Sequence, residues 1–508
     1  MSGYSNLSIK KSSSLKRRAP FFIFCFLLAL AAIIIPIVIV KSHHSTVSDS
    51  HSKKSPQTGT SNVKSLPAKK KWDFDNDKIV GLNLGNWLVL ERWMAEDWFV
   101  EKAGPDSWDE WSFTLALGSN ASKVLEEHWS SWVTEIDVEK AFQAGINTFR
   151  VPLGYWAFIP TVSPEPYLTK GQLAHLENLC KWSYDRNIYL ILDLHGLPGS
   201  QNGEQQSGHN TTAPTFYQAT NQARSDQLVK AVVDWIDQSP YYSIISAIEV
   251  INEPRPYTTE QRAMIRAYYE RSYETIQSLG QKAPAMLFSD GFVPGDKFAY
   301  WWDFAASHQT TPPSLLYTDH PYPGYFPAQT NAQDILNQTC VKGAKYANFP
   351  VSTVITEWSL RTGIQETQFE RTHYQAQLST WSWYSGSVFW SIRTLDSKVA
   401  VLADKVAQYQ WSFESLLERG SVVSPTSKNQ STTDFIKSLQ TPCGPPPTIN
   451  RHGTIPQGTE AAKAIAESEA AKAMMAGINK SIEQAAISFG LMGSGSKAVL
   501  KNSANSKF

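Results

Sequence analysis

Ile244-Ile245-Ser246-Ala247-Ile248-Glu249-Val250-Ile251-Asn252-Glu253-Pro254 is the stretch that decides how this chain is read. An apolar, β-branched run stops abruptly at a polar pair and a proline, which reads as a strand running into a turn. The same pattern recurs on either side. Before it come Ile79-Val80-Gly81-Leu82-Asn83, Thr148-Phe149-Arg150-Val151 and Ile188-Tyr189-Leu190-Ile191-Leu192-Asp193-Leu194-His195. After it come Ala285-Met286-Leu287-Phe288, Leu315-Leu316-Tyr317-Thr318, Val354-Ile355-Thr356 and Val388-Phe389-Trp390. Amphipathic helical stretches lie between them, among them Ile136 to Ala144, Leu173 to Tyr184, Leu228 to Ile236 and Arg262 to Leu279. Eight strands alternating with helices in one continuous block predict an α/β fold, a (β/α)8 TIM barrel. A doubly wound open sheet is the alternative, but no Gly-rich phosphate turn follows the first strand.

In such a barrel the chemistry sits where strands end. The polar residues there are Arg150, His195, Asn252, Glu253, His320, Tyr322, Glu357 and Trp390. Taken singly each has a dull explanation: Glu253 opens a helix, and Glu357 is a surface acid. Taken together the dull explanation fails, because two carboxylates close the fourth and seventh strands of a barrel whose other ends carry Arg, two His, Tyr and Trp.

The barrel predicted over residues 72–443 has unlike flanks. Residues 1–18 form a basic, cytoplasmic tail, and Ala19 to Val40 is an uncharged apolar run. At 1.5 Å per residue that run is ~33 Å long as a helix, enough to cross a bilayer core of ~30 Å. It is too long, and lacks the small-x-small site, for a cleaved signal peptide. The basic cluster before it keeps the N-terminus in the cytoplasm. A single-pass type II cell-membrane anchor is expected, in contact with membrane lipid through residues 19–40 and with the catalytic domain extracellular. Residues 41–71 are rich in Ser and Lys and read as a disordered stalk, with His43, His44 and His51 solvated. Residues 444–508 form an Ala-rich tail, helical by propensity over 459–489 but with a thin apolar stripe and no evident job.

Charge excludes one class of partner. Lys plus Arg and Asp plus Glu balance at 46 each, but the tail, the apolar run and the stalk hold twelve bases and one acid. The remaining body is therefore strongly acidic and would repel a phosphate backbone, so nucleic acid is not expected as a partner. Eighteen Trp and 20 Tyr suit neutral, hydroxylated ligands instead.

Six ordered motifs carry a family resemblance: Gly81-Leu82-Asn83-Leu84-Gly85-Asn86-Trp87, Phe149-Arg150-Val151-Pro152, Leu192-Asp193-Leu194-His195-Gly196, Pro198-Gly199-Ser200-Gln201-Asn202-Gly203, Asn252-Glu253-Pro254 and Thr356-Glu357-Trp358. Over about residues 72–443 the chain resembles the fungal exo-β-1,3-glucanases of glycoside hydrolase family 5. The resemblance implies a retaining glucan 1,3-beta-glucosidase that takes glucose from the non-reducing end of cell-wall β-glucan and needs no cofactor or metal. It implies Glu253 as acid/base and Glu357 as nucleophile, Asn252 on the sugar 2-hydroxyl, His195 and His320 on other hydroxyls, Trp390 under the ring, and Glu91 as a further sugar-binding acid. Arg150 and Tyr322 are expected to keep Glu357 ionised. An apolar setting and the charge of Glu357 are expected to keep Glu253 protonated. One departure stands out: Glu204 and Gln206 occupy places where secreted relatives usually carry an aromatic and an Asn. A β-glucosidase of the same fold, acting on β-1,6-glucan or a glycolipid, is the alternative. A non-catalytic wall protein would be expected to have lost a carboxylate.

Cys25 lies in the apolar run and Cys180 on the apolar side of a helix, so Cys340 and Cys443 are expected to pair in an oxidising lumen. Asn120, Asn210, Asn337, Asn429 and Asn479 head sequons on that side and are candidate glycosylation sites. A monomer is expected.

Overall fold

Eight short parallel strands close into a barrel in chain order, β1 to β8. They are β1 (Ile79–Asn83), β2 (Thr148–Gly154), β3 (Tyr189–Gly196), β4 (Ile245–Glu249), β5 (Ala285–Ser289), β6 (Leu315–Asp319), β7 (Thr353–Ile355) and β8 (Gly386–Phe389). The seam closes with β1 beside β8, Val80 opposite Ser387. This computed structural model describes residues 66–293, 295–397, 407–427 and 429–491. The expected membrane span, 19–40, lies outside them. No described helix is long and apolar enough to cross a membrane.

Four helices lie between β1 and β2: α1 (Glu96–Ala103), α2 (Glu110–Leu117), α3 (Ala121–Trp132) and α4 (Glu135–Gln143). One helix follows each later strand up to β7: α5 (Gln172–Arg186), α6 (Ala219–Gln238), α7 (Thr259–Gln277), α8 (Lys297–Ser307), α9 (Ala332–Lys345) and α10 (Thr367–Trp381). After β8 come α11 (Phe413–Glu418), α12 (Thr432–Lys437) and α13 (Thr459–Ser488). Their starts are written locally. Thr134 with Asp137, and Thr258 with Gln261, form reciprocal capping boxes at α4 and α7, worth about 1 kcal/mol each. At Gly386 (φ 104°) a Cβ would lie 2.3 Å from the backbone of Ile79, so the seam closes only around a glycine.

The barrel interior has two unlike ends. At the N-terminal end Ile79, Ile191, Leu287, Leu316, Val354 and Val388 form a dry apolar layer, plugged from below by Trp72 and Phe74. Each such side chain contributes roughly 1.5–3 kcal/mol by leaving water. At the C-terminal end the buried interior is Asn83, Arg150, Asp193 and Glu249. That change in chemistry along one barrel sets up the site.

The described residues on either side of the barrel are tied to it. Tyr184 donates to the carbonyl of Pro67, Tyr189 to that of Lys70, and Lys69 to Asn187, so the chain is seated before Trp72. Cys340 on α9 and Cys443 are bonded, with Cα atoms 5.0 Å apart; Cys180 is a buried free thiol. Helix α13 lies against α6, α7 and α8, burying Ala461, Ala464, Ala471, Ile478 and Ile482. Its polar positions meet arginines of α7: Arg262 pairs with Glu467 at 3.2 Å, Arg266 donates to Ser468 at 2.8 Å and Arg271 to Asn479 at 2.7 Å. The sequon asparagines Asn120, Asn210, Asn337 and Asn429 are exposed, whereas Asn479 is half-buried in that contact.

Candidate active site

Arg150, rising from β2 into the barrel axis, organises the charged end. Its Nε donates to Glu249 at 2.8 Å, Nη1 to Asn83 and Glu357 at 3.0 Å each, and Nη2 to Asn252 at 2.9 Å. Nη2 also lies 3.1 Å from Asp193. Four hydrogen bonds and the ion pair with Asp193 thus surround the guanidinium inside the barrel, which is what a buried cation requires. Glu249 shows the consequence: burial would raise its pKa, but Arg150 and His320 bring it down to about 2.

Above Arg150 opens a cavity of about 750 Å³. Glu91, His195, Asn252, Glu253, His320, Tyr322, Glu357 and Trp390 all line it, with Arg150 beneath as its floor support. One carboxylate oxygen of Glu253, one of Glu357 and a ring nitrogen of His320 lie within 4.8 Å of one another. These three are the group that could hold a cation, but they are already bonded together: His320 Nδ1 donates to Glu253 Oε1 at 2.9 Å and lies 3.6 Å from Glu357 Oε1. His320 Nε2 meets Thr356 Oγ1 at 2.9 Å. Tyr322 donates its hydroxyl to Glu357 Oε2 at 2.5 Å.

Electrostatics run opposite to expectation for both acids. Glu357 does receive Arg150 and Tyr322, yet its pKa is raised, because burial outweighs the attraction of His320 and Arg150. Glu253 is buried too, but the hydrogen bond and charge of His320 outweigh burial and lower it. The deciding group is His320. Burial opposes its charge, but Glu357, Glu249 and Glu253 together raise its pKa well above the usual histidine value. In sequence His320 reads only as a ligand of sugar hydroxyls, and its place between the two acids emerges only from the fold.

His195 is fixed from behind. Its Nδ1 donates to Asp193 at 2.6 Å, its Nε2 faces Asn252 Nδ2 at 3.4 Å, and its ring stacks parallel to Trp390 with centroids 5.7 Å apart. Glu91 is buried. Its Oε2 accepts from Trp93 at 2.8 Å, while Oε1 has no hydrogen-bond partner among the described residues. Burial, partly offset by His195, pushes its pKa up to about 7. Residues not foreseen also line the cavity: Trp93, Trp411, Tyr325, Phe292 and Phe326 supply aromatic wall, and Arg255 pairs with Glu204 at the rim. Asp193 and Glu249 lie behind the wall, and both stood as acids inside apolar strand runs, a signal that marks an inward-facing charge.

The profile of the cellulase family, glycosyl hydrolase family 5, matches residues 116–394, which carry β2 to β8. The chain belongs to glycosyl hydrolase family 5. It is 26% identical over 382 residues to glucan endo-1,6-beta-glucosidase B of Emericella nidulans, covering 72% of this chain and 90% of that one. To glucan 1,3-beta-glucosidase 1 of Schizosaccharomyces pombe it is 31% identical, covering 64% of this chain and 80% of that one. A probable glucan 1,3-beta-glucosidase A of Neosartorya fischeri is 38% identical over 43% of this chain, and the match spans only about half (52%) of that relative. Among solved structures, a rutinosidase from Aspergillus niger shares the fold, with a TM-score of 0.62 at 23% identity over 69% of this chain and 99% of that one. As a family 5 member the chain is an O-glycosyl hydrolase.

Proposed function

We propose that this family 5 hydrolase is a retaining exo-β-1,3-glucanase that releases glucose from the non-reducing end of cell-wall glucan. One carboxylate oxygen of Glu253 and one of Glu357, beyond the ends of β4 and β7, lie within 4.8 Å of each other, and this closeness carries the retaining part of the reading. Retention needs two carboxyl groups ~5–5.5 Å apart, whereas inversion needs ~6.5–9.5 Å to admit a water. In the first step Glu357 attacks the anomeric carbon while the glycosidic C–O bond breaks and the leaving oxygen takes a proton from Glu253. In the second, Glu253 takes a proton from water, and the hydroxide displaces Glu357 to give β-glucose. Asn252, held by Arg150, faces the 2-hydroxyl, and Glu91 Oε1 is free to accept from another hydroxyl. His320 Nδ1, one hydrogen bond from Glu253, is the nearest source of the proton needed for the first step, and the two are close enough to Glu357 to titrate together with it.

The 31% identity to the S. pombe glucan 1,3-beta-glucosidase, matched over 80% of its length, supports the β-1,3 linkage. The E. nidulans endo-1,6-beta-glucosidase, matched over 90% of its length, favours β-1,6-glucan as the second reading, and the charged Glu204–Arg255 rim is where the linkage would be chosen. Residues 19–40 as a type II anchor would hold the enzyme on the cell membrane, facing the wall; alkaline carbonate extraction followed by N-terminal sequencing tests that. Product analysis on laminarin, pustulan and a steryl glucoside tests the substrate. Glucose released from laminarin, β-anomer first by NMR, is the expected result. Preference for pustulan would move the function to the second reading, and α-glucose as first product would overturn the mechanism.

A further inference from the structure

Glu253 lies beyond the end of β4, in no helix or strand, and its φ of 44° falls in the left-handed region that side chains enter reluctantly. Something must hold it there. The loop after β3 does so with two adjacent amides. Gln201, fully buried, donates from Nε2 to the carbonyl of His195 at 2.7 Å and to that of Asn252 at 2.9 Å. Asn202 donates from Nδ2 to the carbonyl of Glu253 itself at 3.1 Å. The carbonyl of Gln201 in turn accepts from the N–H of Arg255 at 3.2 Å and the hydroxyl of Tyr217 at 3.1 Å. The peptide groups on both sides of Glu253 are therefore fastened to one short segment, and neither amide lines the cavity.

Resting on the glycosidase reading above, we propose that Gln201 and Asn202 are positioning residues for the proton donor. They select the left-handed backbone at Glu253 and so aim its carboxyl at the leaving oxygen. Without them the backbone relaxes to negative φ, which swings the carboxyl away and leaves Glu357, just beyond β7, where it was. A displacement of about 1 Å is enough to cost roughly a hundredfold in a positioned step.

The test separates proton donation from everything else. Asn202→Asp keeps the acceptor for the Glu204 N–H (3.0 Å) but removes the donor to Glu253; Asn202→Ala removes both. Each is compared with wild type in kcat/KM on laminarin and on 2,4-dinitrophenyl β-glucoside, whose leaving group departs without a proton. We expect kcat/KM on laminarin to fall about 10- to 100-fold and that on the aryl glucoside to change by less than about threefold. Gln201→Ala should show the same split where it folds. Equal losses on both substrates, or no loss on laminarin, would overturn the tether. A wild-type enzyme inactive on both would instead overturn the glycosidase reading beneath it.

Discussion

The two ends of the barrel interior are built from the same eight strands and solve opposite problems. At the N-terminal end Ile79, Ile191, Leu287, Leu316, Val354 and Val388 make a layer held by exclusion of water. Two to four residues further along the same strands, Asn83, Asp193 and Glu249, with Arg150 between them, make a layer held by charge and hydrogen bonds. The apolar layer tolerates any shape that fills it, within limits of volume. The charged layer tolerates no missing member, because a buried ion stripped of its partner has nothing else to solvate it. Stability at one end and chemistry at the other are thus separate devices, and each predicts its own response to mutation.

The largest effect falls on the charged end without touching stability. Glu357→Gln keeps the shape of the side chain but cannot attack, so turnover should drop by at least about 10⁴-fold with the melting temperature little changed. Glu253→Gln should instead spare aryl glucosides with good leaving groups while losing glucan turnover. Equal losses on both kinds of substrate from a folded Glu253→Gln protein would exchange or cancel the assigned roles.

Breaking the charged layer itself comes next. Arg150→Met leaves Asp193, Glu249 and Glu357 buried without their cation and should destabilise by about 3–5 kcal/mol. That loss depends on pH. Glu249 has its folded pKa lowered to about 2 from 4.5, so its contribution is present above about pH 4.5 and fades as pH falls through 2. The variant should therefore differ most from wild type near neutrality and converge with it in acid. Leu287→Ala, in the dry layer, should cost about 2–5 kcal/mol by cavity formation, with no such slope. Denaturant melts of both variants at pH 3 and pH 7 check the contrast. A flat difference for Arg150→Met would mean that the charged layer is held by packing alone.

Much of this arrangement could be read from the chain. Strands such as Ile188–His195 are apolar on both faces, which a buried parallel strand demands, and each ends in the polar residue that the barrel delivers to its open end. The polar residues at the strand ends were legible for that reason, whereas the aromatic wall of Trp93, Phe292, Tyr325, Phe326 and Trp411 was not. What lay outside reach were properties of three or more groups at once. His320 reads as a sugar ligand in sequence, yet its ring nitrogen between two acids inverts the order of their proton affinities. The seat of α13 was equally hidden, because an Ala-rich stripe says little until the arginines of α7 stand opposite it. Asp193 and Glu249 were visible as acids within apolar runs, but only the guanidinium of Arg150, meeting both, explains why they are there.

The finest test acts on that inverted order. In wild type, burial raises the pKa of Glu357 while His320 and Arg150 hold it down. His320→Gln removes the larger of those two attractions, so the pKa of Glu357 should rise further. A nucleophile with a higher pKa is protonated at higher pH, and the acid limb of kcat/KM should move upward. The basic limb should move the other way. In wild type it reports loss of the proton shared by His320 and Glu253, and His320 titrates well above the usual histidine value. Without the imidazole that proton rests on a carboxyl alone, whose ordinary pKa is lower. The bell should narrow from both sides, with activity retained at its centre. Profiles of kcat/KM on laminarin, whose leaving oxygen needs the proton, across pH 3–9 measure both limbs. An acid limb that stays in place would show that His320 does not govern Glu357, and the charged end would then owe its protonation pattern to Arg150.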